Sequence, residues 1–136
     1  MRVKLDAGAV MPFRAYGNSA GLDLFSRDTI TVPAKGSAKF DTGVHIELPK
    51  NTAGFLKSKS GLNIYHGITN EGVIDEDYTG SIVVHLCNNS DKDYTVHKGD
   101  KISQLVILPV IIPEIELVDE LKEKGRGNRG FGSSGR

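Results

Sequence analysis

The 136-residue chain has one cysteine, no tryptophan and no surplus of either charge. A lone Cys87 cannot close an internal disulfide, and without a second cysteine zinc-finger and dithiol redox chemistry are excluded. Seventeen basic residues balance seventeen acidic ones, which argues against a broadly basic nucleic-acid coat and an acidic solvating chain. There is no long apolar run. The longest, residues 105–112, is interrupted by Pro109 and falls far short of the ~20 residues of a membrane span. Residues 1–6 lack the apolar stretch of a secretory signal. The expectation is a soluble, cytoplasmic protein with no membrane and no nucleic acid as partner. Hydrophobic residues make up 38%, a little below the usual share. A single domain of this length still buries roughly two-thirds of its unfolded surface, so a real core is expected.

What is abundant is glycine. Sixteen Gly and five Pro divide the chain into short strands and turns. Strands are predicted at 30–32, 40–48, 52–57, 82–86, 94–96 and 102–110, with a last alternating stretch after Pro113 that sets Ile115 and Leu117 on one side. In the alternating run Ile82-Val83-Val84-His85-Leu86-Cys87, the cysteine reads as a small core residue rather than a reactive thiol. Helical periodicity is poor except over residues 60–66, where Ser60 is placed to cap and Gly67 to stop a short helix. This pattern predicts an all-β protein, a jelly-roll-like antiparallel barrel or sandwich with one short helix. Composition changes at Lys124. Residues 125–136 hold five Gly, three Arg, two Ser and one Phe, too little to pack a core, so a flexible glycine-rich C-terminal tail is expected beyond a β domain of residues 1–124.

Five segments break the strand pattern with Gly beside polar groups. Ser19-Ala20-Gly21-Leu22-Asp23-Leu24 carries an acid that at a strand edge would ordinarily be solvated. Lys57-Ser58-Lys59-Ser60-Gly61-Leu62 sets two lysines at a helix start, suited to an anion or equally to ordinary capping. Gly72-Val73-Ile74-Asp75-Glu76-Asp77-Tyr78-Thr79-Gly80 holds three acids between glycines. It reads either as a turn or as a place where a carboxylate accepts a proton from water or sits near a metal. Gly99-Asp100-Lys101-Ile102-Ser103-Gln104-Leu105 puts a glutamine in an apolar strand, where its amide needs partners if buried. In Gly125-Arg126-Gly127-Asn128-Arg129-Gly130-Phe131-Gly132-Ser133-Ser134-Gly135, the arginine suits phosphate, the phenylalanine a base, and the glycines a close backbone approach.

These five segments, in this order, resemble the trimeric all-β dUTPase family, and the resemblance runs from Ala20 to Gly135. It implies a homotrimer with shared active sites, dUTP as substrate and Mg²⁺ as cofactor, with dUMP and pyrophosphate as products. It further implies Asp75 as the base that activates water at the α-phosphorus. Asn70, Gly72, Val73 and Ile74 would hydrogen-bond the uracil edge through the backbone, Tyr78 would pack on deoxyribose, and Phe131 would stack on uracil. Lys59, Ser60, Gly61, Gln104, Arg126, Gly132 and Ser133 would hold phosphates. No residue would ligate the metal directly; Asp23 would support its water network, the ion being held by triphosphate oxygens and water. Two departures stand out. Lys59 replaces the family's usual arginine, keeping the charge but losing the fork, and Arg129-Gly130 replaces Gly-Gly before Phe131. His85 and His97 are read as structural. Two other functions fit a similar chain: a dCTP deaminase-like enzyme, and a regulatory protein whose tail is gated by nucleotide.

Overall fold

The computed structural model describes residues 1–125 and Gly127. The expected roles of Arg126, Phe131, Gly132 and Ser133, and of the tail as a whole, therefore lie outside the described residues. In chain order the elements are β1 (Arg2–Leu5), β2 (Gly21–Phe25), β3 (Ile30–Val32), β4 (Ser37–Asp41), β5 (Val44–Glu47), β6 (Thr52–Lys57), α1 (Ser60–His66), β7 (Ile68–Thr69), β8 (Glu71–Ile74), β9 (Val83–Asn88), β10 (Tyr94–Val96) and β11 (Lys101–Pro109).

The described strand pairs are antiparallel. A four-stranded sheet runs β2-β11-β6-β8 and a three-stranded sheet β4-β9-β7, with two-stranded ribbons β1-β5 and β10-β3. The larger sheets have open edges, so the architecture is a sandwich rather than a closed barrel. One core joins the layers. Leu24, Leu56, Ile102 and Leu105 come from the four-stranded sheet, and Phe40, Ile68, Val84 and Leu86 from the three-stranded one. Side chains this deeply buried contribute about 1.5–3 kcal/mol each, which is why the two-residue alternation along β9 is so strict.

That alternation corrects the reading of Cys87. Val84, Leu86 and Asn88 are buried while Val83 and His85 are exposed. Cys87 falls on the outward face with the latter pair and is only half-buried. The strand predicted over 40–48 is two strands meeting at a corner. Gly43 has φ of +66°, its N–H donates to Asp41 Oδ1 at 3.0 Å, and a Cβ there would meet the Arg27 guanidinium at 2.8 Å. The corner sends β4 to β9 and β5 to β1. The predicted helix forms and stops at Gly67, which is left-handed (φ 66°). Its cap is Lys59 rather than Ser60, with extended backbone and no side-chain cap bond. The stretch after Pro113, expected as a strand, forms no regular element and pairs with no strand among the described residues. Ile115 and Leu117 are each 98% exposed.

Candidate functional site

Three of the four segments that fall within the described residues meet around one end of β6 and β11, while the acidic one starts nearby at Gly72 and runs to the opposite end of the β6–β8 ladder. Gln104 lies in register with Asp23 of β2 on one side and with Lys57 of β6 on the other. A β-bulge between Lys101 and Ser103 inserts Ile102, so Ile102 and Ser103 are both buried in succession. Strict alternation would have turned one of them outward. Gly21 lies against the Gln104 side chain, whose Cβ is 3.0 Å from where a residue-21 Cβ would stand.

Asp23 departs most from expectation. It is 3% exposed and receives Lys59 Nζ on Oδ1 at 2.6 Å and Lys101 Nζ on Oδ2 at 2.8 Å. Phe13 covers this cluster: its carbonyl accepts the Asp23 N–H at 2.9 Å, and its ring lies 4.7 Å from Lys101 Nζ. Two positive neighbours make a buried carboxylate tolerable where one acid at a strand edge would be solvated. Lys59, expected on phosphate, is held by Asp23 in this structure. Burial pushes the Asp23 carboxyl up, but the hydrogen bonds and charges of Lys101 and Lys59 outweigh it and hold the group below the ordinary aspartate value. Its contribution to stability is therefore full above the unfolded-state value and is lost as pH falls through the lower, folded one. Asp23→Asn is expected to flatten the acid limb of Tm against pH; a limb of unchanged steepness would deny Asp23 that role.

Behind this cluster is a polar network that sequence reasoning did not find. Ser58 Oγ accepts the Asn70 N–H at 2.8 Å and donates to the Asn70 carbonyl at 3.0 Å. Asn70 Nδ2 donates to Ser103 Oγ at 2.9 Å, and Ser103 Oγ donates to the Lys57 carbonyl at 3.3 Å. The Ser58, Asn70 and Ser103 triangle joins the lysine-rich segment, the start of the acidic segment and β11. Asn70 Oδ1 is buried with no partner among the described residues, an arrangement that costs about 1–3 kcal/mol unless a donor reaches it. A serine flanked by lysines and an asparagine two residues before a glycine were the available signals, and neither specifies its partner.

From Asn70 the chain enters β8, the outer strand of its sheet. One edge of β8 pairs with β6, with Glu71 opposite Lys57 and Ile74 opposite Gly54. The other edge has no strand neighbour among the described residues, so alternate residues of 71–74 turn their backbone donors and acceptors away from the sheet. Gly72 fits because a Cβ there would meet Leu56 Cδ1 at 3.1 Å, while Val73 is 60% exposed. Asp75 follows at the open end of the strand, also exposed. Its carbonyl accepts the Tyr78 N–H at 3.1 Å, closing a turn. Tyr78 donates its hydroxyl to the Ser81 carbonyl at 2.9 Å, so its ring lies over Gly80. Glu76 is turned aside, accepting the Asn51 N–H at 2.6 Å.

Ser60 and Gly61, both exposed, open α1, where first-turn N–H groups have no acceptor within the helix. They stand beyond the Lys57–Glu71 end of the β6–β8 ladder, whereas Asp75 stands beyond the Gly54–Ile74 end. Three residues of strand separate those pairs, roughly 10 Å. One chain thus presents two half-sites: an amide edge ending in a carboxylate, and a basic, glycine-containing helix start beside Gln104.

A strand edge suited to a nucleobase and a helix start suited to phosphates define a nucleotide-binding all-β domain. The dUTPase family model matches residues 7–135, and the chain belongs to that family. A deoxyuridine 5'-triphosphate nucleotidohydrolase of Clostridium novyi is 42% identical over 97% of this chain and 95% of its own. The dUTPase of Staphylococcus bacteriophage 80alpha, solved with dUPNHPP, superposes with a TM-score of 0.93 at 30% identity, covering 99% of this chain and 98% of its own. A point-mutant dUTPase of phage phi11 of S. aureus superposes with a TM-score of 0.82 at 27% identity over 90% of this chain and 98% of its own, and its structure concerns the coordination of a structural Mg(II) ion.

Proposed function

We propose that this chain hydrolyses dUTP to dUMP and pyrophosphate. The observation that carries the reading is the open edge of β8 running directly into Asp75. An edge of fixed amides discriminates a pyrimidine by its donors and acceptors, and the residue after that edge is the carboxylate. Uracil pairs with the backbone of Asn70, Gly72, Val73 and Ile74, and a base with the wrong edge leaves buried groups unpaired, which rejects an analogue by ~10⁴ or more. The unpartnered Asn70 Oδ1 supports a donor arriving here.

Asp75 accepts a proton from the water that attacks the α-phosphorus. The new bond joins that water's oxygen to phosphorus, the bond to the β-phosphate bridging oxygen breaks, and its electron pair leaves on pyrophosphate. Ser60 and Gly61 hold phosphate oxygens by hydroxyl and amide, and Gln104 by its side chain. Lys59 and Lys101 line the same rim and reach an anion only by sharing or leaving Asp23. The donor set fits Mg²⁺ carried by the substrate. Among the described residues no three carboxylate, imidazole or thiol groups converge, and both Asp23 oxygens hold lysines. Triphosphate oxygens and water would ligate the ion, which when bound would neutralise the polyanion. The structural Mg(II) ion of the phage phi11 relative supports Mg²⁺ binding in the family. Arg126 and Phe131 add charge neutralisation and base stacking.

The two half-sites are separated within one chain, and Ile111, Ile112, Ile115, Leu117 and Leu121 are all more than three-quarters exposed. Both facts support a homotrimer in which one chain's Asp75 meets another's Ser60 and Gln104. Pyrophosphate release measured across the common deoxynucleotides, dUTP and UTP tests the reading. Release from dUTP alone, by a species of three chains' mass, is expected; ammonia from dCTP would establish the deaminase alternative. Tyr78 is the gate against ribose. A Cβ on Gly80 would lie 2.4 Å from the Tyr78 hydroxyl oxygen, so Gly80→Ala displaces the ring. The preference for dUTP over UTP in kcat/KM is then expected to shrink about tenfold; an unchanged preference would place the 2′ discrimination elsewhere.

A further inference from the structure

One imidazole touches the substrate turn without belonging to any of the five segments. His45, on β5, has Nδ1 2.9 Å from the Thr79 carbonyl oxygen and Nε2 3.2 Å from Asp6 Oδ2. Its side chain is 18% exposed. Both neighbours are acceptors. A neutral imidazole has one N–H and one lone pair, so it satisfies one acceptor and turns its lone pair on the other. Only the imidazolium donates to both.

Thr79 lies between Tyr78 and Gly80, four residues after Asp75. Residues 75–81 are otherwise held at their ends, by Asn51 N–H on Glu76 and by Ile82 N–H on the Val44 carbonyl at 2.9 Å. Ser81 also donates to Asp41. His45 is the side chain that grips the middle.

Resting on the dUTP-hydrolysing reading above, we propose that His45 is a positioning residue: as imidazolium it pins the turn bearing Asp75 and Tyr78 to β5 and Asp6, and neutralisation weakens that hold by leaving one N–H for two acceptors. The charged groups facing it are few. Asp6 contacts it directly, and Lys4 is its register partner on β1 and lies 3.9 Å from Asp6. Asp41 feels its charge across the β4–β5 corner. Glu47, two residues along β5, is engaged by Arg2. The Thr79 carbonyl first, and Asp6 next, raise the imidazole above its ordinary value, against desolvation and Lys4. The grip is thus present at and below that raised value and weakens as pH climbs through it.

The test is kcat/KM for dUTP in wild type and in His45→Gln, whose amide donates to Thr79 at every pH. Ionisation of the substrate is common to both and cancels in the ratio. The wild-type to His45→Gln ratio is expected to fall about two- to tenfold with rising pH, the worth of one hydrogen bond. Asp6→Asn should move the inflection to lower pH. In parallel, the Tyr78 ring resonances should follow the His45 titration by NMR, with an inflection above the ordinary imidazole value. A flat ratio with Tyr78 signals indifferent to that titration would overturn the proposal. Wild type that releases no pyrophosphate from dUTP would instead refute the functional reading, and the NMR titration would still decide on the His45 grip.

Discussion

Asp75→Asn is expected to bind dUTP with Mg²⁺ at close to wild-type affinity and to hydrolyse it ~10²–10⁴-fold more slowly, the usual worth of a positioned general base. The substitution is isosteric. The turn does not depend on the carboxylate, because the Asp75 group that closes it is the carbonyl accepting from Tyr78. What asparagine loses is the capacity to take a proton from water. Calorimetry with dUTP and single-turnover pyrophosphate release separate the two quantities. Turnover near that of wild type would remove Asp75 from the proton transfer, and lost binding with unchanged turnover would make it a substrate contact instead.

Deletion after Lys124 is expected to lower kcat by about 10³-fold, on the scale of a lost arginine that stabilises phosphoryl charge, while fold and assembly persist. The reason lies in where the elements stop. β11 ends at Pro109, and among the described residues the buried core draws on none beyond Leu105. Truncation removes Arg126 and Phe131 and leaves the described core residues, Asp75, Ser60 and Gln104 in place. Far-ultraviolet circular dichroism and mass in solution should match wild type as pyrophosphate release collapses. Arg126→Ala divides the effect: a loss near that of the truncation assigns it to charge, a small one to the base-stacking end. A truncated chain that turns over normally would make the tail dispensable for the chemistry.

Much of the strand pattern was legible because it follows from local rules. Short apolar runs between Gly and Pro gave β3, β6, β9, β10 and β11, and Gly67 ended α1 because glycine enters the left-handed region at little cost. Asp75 and Tyr78 stood out as polar residues fenced by glycines. The corner at Gly43 was missed because residues 40–48 keep strand composition across it; what splits them is the choice of different partner strands. Cys87 was misplaced because one residue of register decides which face of β9 it occupies. The stretch after Pro113 alternates like a strand, yet a strand needs a partner edge, and none among the described residues offers one.

Asp23 and Asn70 mark the boundary most clearly. The glycine-flanked segments and the two-residue periodicity are properties of the chain alone; the periodicity determined an all-β fold, and the order of the segments carried the resemblance to dUTPases that implied the nucleotide chemistry. That Asp23 is buried between Lys59 and Lys101, that Asn70 joins Ser58 and Ser103 across 12 and 33 residues, and that His45 reaches Thr79 were decided only by tertiary structure. Charge pairing and hydrogen bonding depend on distances in space, and strand register, not position along the chain, sets those distances.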